Sequence, residues 1–329
     1  MLNDEYFKDY KYVWAFDNPN KFELFKAKKV KLNSLSYFIE ALRCGIWITN
    51  VSIERGLKFK PRKTIYINTW HGVTLKFLGN AQKNRNDYDY RSVNCMLSSC
   101  EYLDEIFIRD FKVRPESLLR CGLPRNDYLY GHNSKKVEYL RKKYNIPKNK
   151  KIILYAPTWR DSTDGGKNYV INPPLDIEYL REKLSKKYVI LFRMHHLTTK
   201  QMGLKFDDFV RDCSGSYDIN ELMMISDVLI SDYSATIFDY SILERPIVLF
   251  AYDYENYKKT RGLYLELEDI LPGCICKNQE ELVKHILKMN YRKESKKAKE
   301  VKQRFNTDKG DATAIVLEYL KKRINGDKR

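Results

Sequence analysis

Short apolar runs of strand length alternate with stretches of helical periodicity along most of the chain, and this alternation constrains the fold more than any other feature. It is plainest in the second half, where residues 151–156, 188–192, 228–230 and 246–250 are rich in β-branched and aromatic side chains. Between and after them, residues 177–185, 219–225, 235–243 and 280–289 carry apolar positions at helical spacing. A shorter strand is expected over 209–211. Strands joined through helices build parallel βαβ units, and parallel strands covered on both faces read as continuous apolar runs. The first half repeats the pattern, with strands expected over 10–16, 30–32, 46–49, 64–68, 92–98 and 117–122. Its helices are expected over 34–42, 101–111 and 135–144, the first opened by Ser34 and stopped by Gly45. Pro147 follows the lysine-rich third helix and marks a boundary. Residues 1–146 then form one Rossmann-like domain and residues 147–329 a second, a division natural for 329 residues. The last helix, 312–321, is free to pack back on the first domain. The fold class is α/β, with mainly parallel sheets.

Composition narrows the function. No apolar run reaches the roughly 18 residues needed to span a bilayer. Residues 1–5 show no basic stretch leading into an apolar one, so no secretory signal is expected. The seven cysteines are scattered, with Cys274 and Cys276 the only close pair, and reduced thiols in the cytoplasm are the economical reading. The formal net charge is +17 and the isoelectric point about 9.3, a balance that attracts nucleic acid, anionic lipid headgroups or phosphorylated metabolites. Part of that charge lies in the run 293–302, read as a solvated helix face.

Thr69-Trp70-His71-Gly72-Val73-Thr74-Leu75-Lys76 follows directly on the strand 64–68. His71 at the strand end is either a packed core histidine or a proton acceptor at the lip of a cleft, and Gly72 permits a tight turn or a close approach by a ligand. In open parallel sheets ligands sit beyond the carboxyl ends of the strands. Pro157-Thr158-Trp159-Arg160-Asp161, Arg193-Met194-His195 and Ser231-Asp232-Tyr233-Ser234 all stand at such ends. The last of these opens into a helix that includes Thr236, which suits phosphate binding by free amides or simple capping by Asp232 or Ser234. Arg193 and His195 are two residues apart on one strand face and suit a pyrophosphate; a paired arginine and a packed histidine are the alternative. His196 points the other way, and His132 and His285 read as surface residues. Arg261-Gly262 is expected in a basic loop that closes over a phosphate or is merely solvated. Asp87-Tyr88-Asp89 matches a D-x-D metal motif but sits in a polar loop without a strand before it. The chain lacks a P-loop, a dinucleotide fingerprint, a zinc helix and an esterase elbow.

Thr69-Trp70-His71-Gly72 with Leu75-Lys76, Tyr155-Ala156-Pro157-Thr158-Trp159-Arg160, Arg193-Met194-His195 and Ser231-Asp232-Tyr233-Ser234 with Phe238-Asp239-Tyr240 together resemble the CDP-glycerol glycerophosphotransferase family. Arg245-Pro246, Arg261-Gly262 and Pro272-Gly273 add to the likeness, which runs from about residue 12 to 290. Val73-Thr74 stands where members commonly read Thr-Pro, and Ala235 stands where a second serine is common. The resemblance implies a GT-B-like fold of two facing Rossmann-type domains, with the active site in the inter-domain cleft and the nucleotide held mainly by the second domain. It implies transfer of glycerol phosphate from CDP-glycerol, or of the polyol phosphate of CDP-ribitol, to a hydroxyl of an undecaprenyl-pyrophosphate-linked acceptor, with release of CMP. By motif match His71 is the general base and His195 contacts the pyrophosphate. Donor and phosphate contacts are expected from Gly72, Thr158, Arg160, Arg193, Ser231, Asp232, Ser234, Thr236, Arg261 and Gly262. No metal or other cofactor is expected. Peripheral attachment to the anionic cytoplasmic face of the membrane follows from the acceptor, and a homo-oligomer is left open. Two other readings stand beside this one: a GT-B glycosyltransferase using a sugar nucleotide, and a basic non-catalytic nucleic-acid-binding protein, although no nucleic-acid module is visible.

Overall fold

The computed structural model describes residues 1–24, 27–158, 174–194, 205–215 and 217–326. In the first half the strands are β1 (Tyr12–Phe16), β2 (Ala27–Lys31), β3 (Ile46–Thr49), β4 (Ile65–Asn68), β5 (Cys95–Ser98) and β6 (Leu118–Arg120). Its helices are α1 (Leu35–Arg43), α2 (Glu101–Phe111), α3 (Asp127–Tyr130) and α4 (Ser134–Lys143). The second half contains β7 (Lys151–Tyr155), β8 (Tyr188–Phe192), β9 (Val210–Asp212), β10 (Val228–Ser231), β11 (Ile247–Phe250) and β12 (Ile275–Cys276). Its helices are α5 (Ile177–Leu184), α6 (Ile219–Ile225), α7 (Thr236–Ser241), α8 (Tyr254–Arg261), α9 (Leu267–Ile270), α10 (Gln279–Lys288), α11 (Tyr291–Phe305) and α12 (Ala312–Gly326).

Capping chemistry sets where many of these helices start. The side chains of Ser34, Asn133, Asp176, Asp218, Asn278 and Asn290 each accept a backbone N–H from the first turn they precede.

β7 to β12 form one parallel sheet in the order β12-β11-β10-β7-β8-β9. That is the doubly wound arrangement in which strand order reverses between β7 and β10, and its ligand crevice opens at the carboxyl ends of those two strands. Both faces are covered, so successive residues feed different cores. Ile152, Leu154, Leu229 and Leu249 pack into one, while Ile153, Tyr155, Ile230 and Phe250 pack into the other. Each such side chain contributes on the order of 1.5–3 kcal/mol.

The first half is built differently. β3-β4-β5-β6 lie side by side in sequence order, all parallel, while β1 and β2 leave this sheet and pair as a separate parallel ribbon. The strand expected over 30–32 is therefore longer and begins earlier. One hydrophobic core runs from β4 and β5 through to α7 and α11. The run 293–302 lies within α11, which is solvated on one side but buries Ala298, Val301 and Phe305 on the other. α12 packs on the first half, where Tyr319 Oη donates to Asn94 O at 3.2 Å and the amide of Ala312 donates to Asp127 at 3.1 Å.

Candidate active site

The segment that carries His71 is pinned along its length. The amide of Thr69 donates to Thr49 O at 2.7 Å, Tyr102 Oη donates to Thr74 O at 2.8 Å, and the amide of Tyr264, from the second half, donates to Leu75 O at 2.8 Å. Trp70 turns the chain with a left-handed backbone (φ 54°) and lays its indole beside the imidazole, ring centroids 4.1 Å apart. His71 Nδ1 lies 2.8 Å from Asn50 O. A carbonyl only accepts, so Nδ1 carries the proton and Nε2 keeps its lone pair. Burial, followed by the charges of Arg125 and Lys76, holds the imidazole pKa below its ordinary value of 6.5, opposed by the Asn50 carbonyl and by Asp239. The ring is half-buried and neutral at pH 7, and it lines a cavity. A neutral imidazole with a fixed tautomer and a free Nε2 is equipped to accept a proton.

At the reversal point of the six-stranded sheet the sequence-predicted residues make hydrogen bonds within the protein. Ser231 Oγ is fully buried and donates to Ala156 O at 2.7 Å, tying β10 to the end of β7. Asp232, also buried, accepts from the amides of Thr158 at 2.6 Å and Tyr233 at 2.7 Å. These bonds give Ser231 and Asp232 a structural role beside the expected phosphate contact: the Ser231 proton goes to a carbonyl, and Asp232 holds two amides. Both shape the crevice floor. Ser234 and Thr236 are half-buried; Ser234 Oγ accepts the Thr236 amide at 3.2 Å and donates to Thr236 Oγ1 at 2.9 Å, a local turn ahead of α7, whose N-cap Ala235 makes no side-chain capping bond. Arg193 stands at the end of β8, its guanidinium donating to Ser214 O at 2.7 Å while Nε is buried without an acceptor. Its partner is a carbonyl rather than a carboxylate, so its charge is not cancelled by that contact. Arg160 and His195, and with them His196, lie outside the described residues.

Two glycines mark where the halves meet. Gly72 (φ 132°) is buried, and a Cβ there would stand 2.7 Å from the Arg125 guanidinium and 2.9 Å from Ala235 Cβ. Arg125 and Ala235 thus make a close approach at Gly72. Ala235, at the position where a second serine is common in the family, sits against Gly72 without a hydroxyl. Gly262 (φ 75°) would press a Cβ to 2.2 Å from Phe77, whose amide donates to Gly262 O at 3.1 Å. Arg261 ends α8 rather than lying in a loop. That helix is polar on most sides, and Tyr257 holds it by stacking on Tyr233 with centroids 3.9 Å apart. Sequence reasoning missed Asn50, Arg125 and Asn126, and it quoted Asp239 within the Phe238-Asp239-Tyr240 motif without giving it a role. Arg125 pairs with buried Asp239 of α7, and Asn126 Nδ2 donates to the same carboxylate at 2.9 Å. The Leu123-Pro124-Arg125-Asn126 turn at the end of β6 was the only signal for two of them.

Two clusters invite a metal reading. Asp87 and Asp89 of the D-x-D motif are held by Arg85 and by Arg91 with Lys58, so cations already face both carboxylates. Cys274, His285 and Glu294 bring their ligand atoms within 4.8 Å of one another. Lys297 Nζ stands 3.3 Å from the Cys274 sulfur and 3.0 Å from Glu294, and burial pushes the thiol up to about 12. An ammonium therefore supplies the positive charge there, at the amino end of edge strand β12, whereas the crevice lies at the carboxyl ends of the central strands. His285, expected at the surface, is half-buried in this cluster.

Two parallel α/β halves, with an imidazole-bearing strand end of one set against the crevice of the other, define a GT-B-like architecture. The chain belongs to the family described as CDP-Glycerol:Poly(glycerophosphate) glycerophosphotransferase, whose model matches residues 1–322. A teichoic acid poly(glycerol phosphate) polymerase of Staphylococcus epidermidis is 35% identical over 97% of this chain; the chain spans about half, 47%, of that relative's length. The polymerase of the same description from Bacillus spizizenii is 33% identical over 95% of this chain and 84% of its own. Among solved structures, a variant of the wall teichoic acid polymerase TagF soaked with CDPG superposes with a TM-score of 0.85 and 32% identity, covering 99% of this chain and 84% of that one.

Proposed function

We propose that this protein transfers glycerol phosphate from CDP-glycerol to the terminal hydroxyl of a lipid-linked acceptor. His71 Nε2 takes the hydroxyl proton as the acceptor oxygen attacks the phosphorus that bears glycerol. A phosphodiester forms, the bond from that phosphorus to the bridging oxygen breaks, and CMP leaves. Positive charge for the phosphoryl oxygens comes from Arg193, with Arg261, Arg160 and His195 completing the donor side by motif match, and such stabilisation is the largest catalytic contribution at sites of this kind. The observation that carries the reading is the 2.8 Å approach of His71 Nδ1 to Asn50 O, a carbonyl acceptor that favours the Nδ1–H tautomer and leaves Nε2 to take a proton. Glycerol is preferred to ribitol because the two polymerases described above are named for glycerol phosphate.

Peripheral membrane attachment has support from α1. Leu35, Ile39 and Leu42 are exposed on one stripe of that helix, with Ile48 exposed on the neighbouring edge strand β3, and Lys28, Lys29 and Lys31 on β2 stand close by. No helix among the described residues is long and apolar enough to cross a membrane.

The test supplies labelled CDP-glycerol, CDP-ribitol or a UDP-sugar with a short lipid-linked acceptor analogue. Glycerol phosphate additions with release of CMP support the reading, whereas transfer from the UDP-sugar alone overturns it. Flotation with anionic and neutral vesicles tests attachment; equal binding to both contradicts it.

A further inference from the structure

His71 lines a cavity of about 890 Å³ that belongs wholly to the first half. Its walls come from the β3–β4 connection and from residues 85–92, and its floor is aromatic, with Tyr66, Trp70 and Phe111 almost entirely buried. Glu54 braces the two walls, accepting from the amides of Phe59 and Lys60 at 3.2 Å on one oxygen and from Ser92 Oγ on the other. Five cations (Arg55, Lys58, Lys60, Arg85 and Arg91) face three carboxylates, one of which is the brace.

Of the other two carboxylates, Asp89 is 17% exposed and stays with Arg91 and Lys58, whereas Asp87 does not neutralise the rim firmly. Arg85 and Asp87 are 43% and 62% exposed. An ion pair this open to water is weak, so a phosphate can take the place of Asp87 beside Arg85 at little cost. Arg55 has no carboxylate partner among the described residues. Volume argues in the same direction. Pockets of roughly 300–1,000 Å³ hold whole drug-sized ligands, so a single three-carbon alcohol would leave most of this space unfilled.

We infer that the cavity is the acceptor site, and that its occupant is an extended anionic chain of polyol phosphate units whose terminal hydroxyl meets His71 Nε2. Arg55, Lys58, Arg85 and Arg91 contact the phosphodiesters behind that terminus, and the aromatic floor carries the polyol carbons. The inference rests on the reading under Proposed function for the identity of the terminal reaction. The charge and shape of the site do not depend on it.

The experiment compares wild type with the Arg55→Gln/Arg85→Gln/Arg91→Gln triple variant, and with Arg55→Glu alone in case the triple variant unfolds. Direct binding of soluble oligo(glycerol phosphate) is measured alongside the KM for acceptor and the KM for CDP-glycerol. The expected result is a loss of oligomer affinity and a rise in acceptor KM of about tenfold or more, with donor KM within about twofold. Unchanged oligomer binding, or an equal rise in both KM values, overturns the assignment. If the variants lose anionic-vesicle binding but keep the oligomer, the rim serves the membrane and the assignment is likewise overturned. If oligomer binding is lost in the variants yet wild type transfers nothing from CDP-glycerol, the site stands and the proposed reaction fails. If wild type transfers and the variants match it, the reverse holds.

Discussion

The turn after β4 and the turn after β10 are both strand ends facing the meeting point of the two halves, yet they are built on opposite plans. After β4 the backbone is anchored by neighbours on both sides, and the side chain of His71 is left with a free nitrogen. After β10 the side chains themselves are the anchors: Ser231 and Asp232 are buried and bonded to the ends of β7 and to adjacent amides. One turn leaves an imidazole equipped to accept a proton, and the other fixes the shape of a crevice. A polar residue at a strand end is therefore not evidence of ligand contact until its hydrogen bonds are known.

The contrast can be broken most sharply at His71. His71→Asn should lower transfer ~10²–10⁴-fold, the range of general-base catalysis, with CDP-glycerol affinity retained in a calorimetric titration. A variant within tenfold of wild type would put the base elsewhere. On the other turn the loss should be structural. Asp232→Ala leaves the buried amides of Thr158 and Tyr233 without this acceptor, a destabilisation of about 2–4 kcal/mol in denaturant melts. Gly72→Ala brings backbone strain at φ 132° and a contact with Arg125 and Ala235, which should cost about 1–3 kcal/mol and loosen the seam. The smallest effect is the most discriminating: Ser231→Ala should cost ~1 kcal/mol of stability and leave donor affinity within twofold. A large drop in donor affinity there would mark Ser231 as a phosphate contact.

The strands and helices were readable in the sequence because each buried strand is a continuous apolar run and each amphipathic helix repeats its apolar stripe. β3, β8, α2 and α6 fall where periodicity places them. α8 was not readable, since Tyr-Glu-Asn-Tyr-Lys-Lys-Thr-Arg has little apolar stripe and is held by Tyr257 stacking on Tyr233. The site was half readable. A histidine after a strand is visible in one dimension, whereas the Asn50 carbonyl that sets its tautomer is a backbone group 21 residues away. Asp239 joins Asn126 across 113 residues, and no local pattern announces that contact. The triplet Asp87-Tyr88-Asp89 was visible, but its neighbouring arginines turn a metal motif into part of a cationic rim.

The central claim, a neutral His71 protonated on Nδ1 with Nε2 open to the cavity, is tested most directly by ¹⁵N NMR of histidine-labelled protein. The His71 signals are assigned by their absence in His71→Asn among the five histidines of the chain. Because burial depresses this pKa below 6.5, the free imidazole of an unfolded chain takes up its proton first as pH falls. Folded His71 stays neutral through pH 6.5, and transfer should fail only as pH drops through its lower value. The account predicts the Nδ1–H tautomer with a titration midpoint below 6.5 that coincides with the acid limb of the transfer rate. An Nε2–H tautomer, or a midpoint above 6.5, would contradict it.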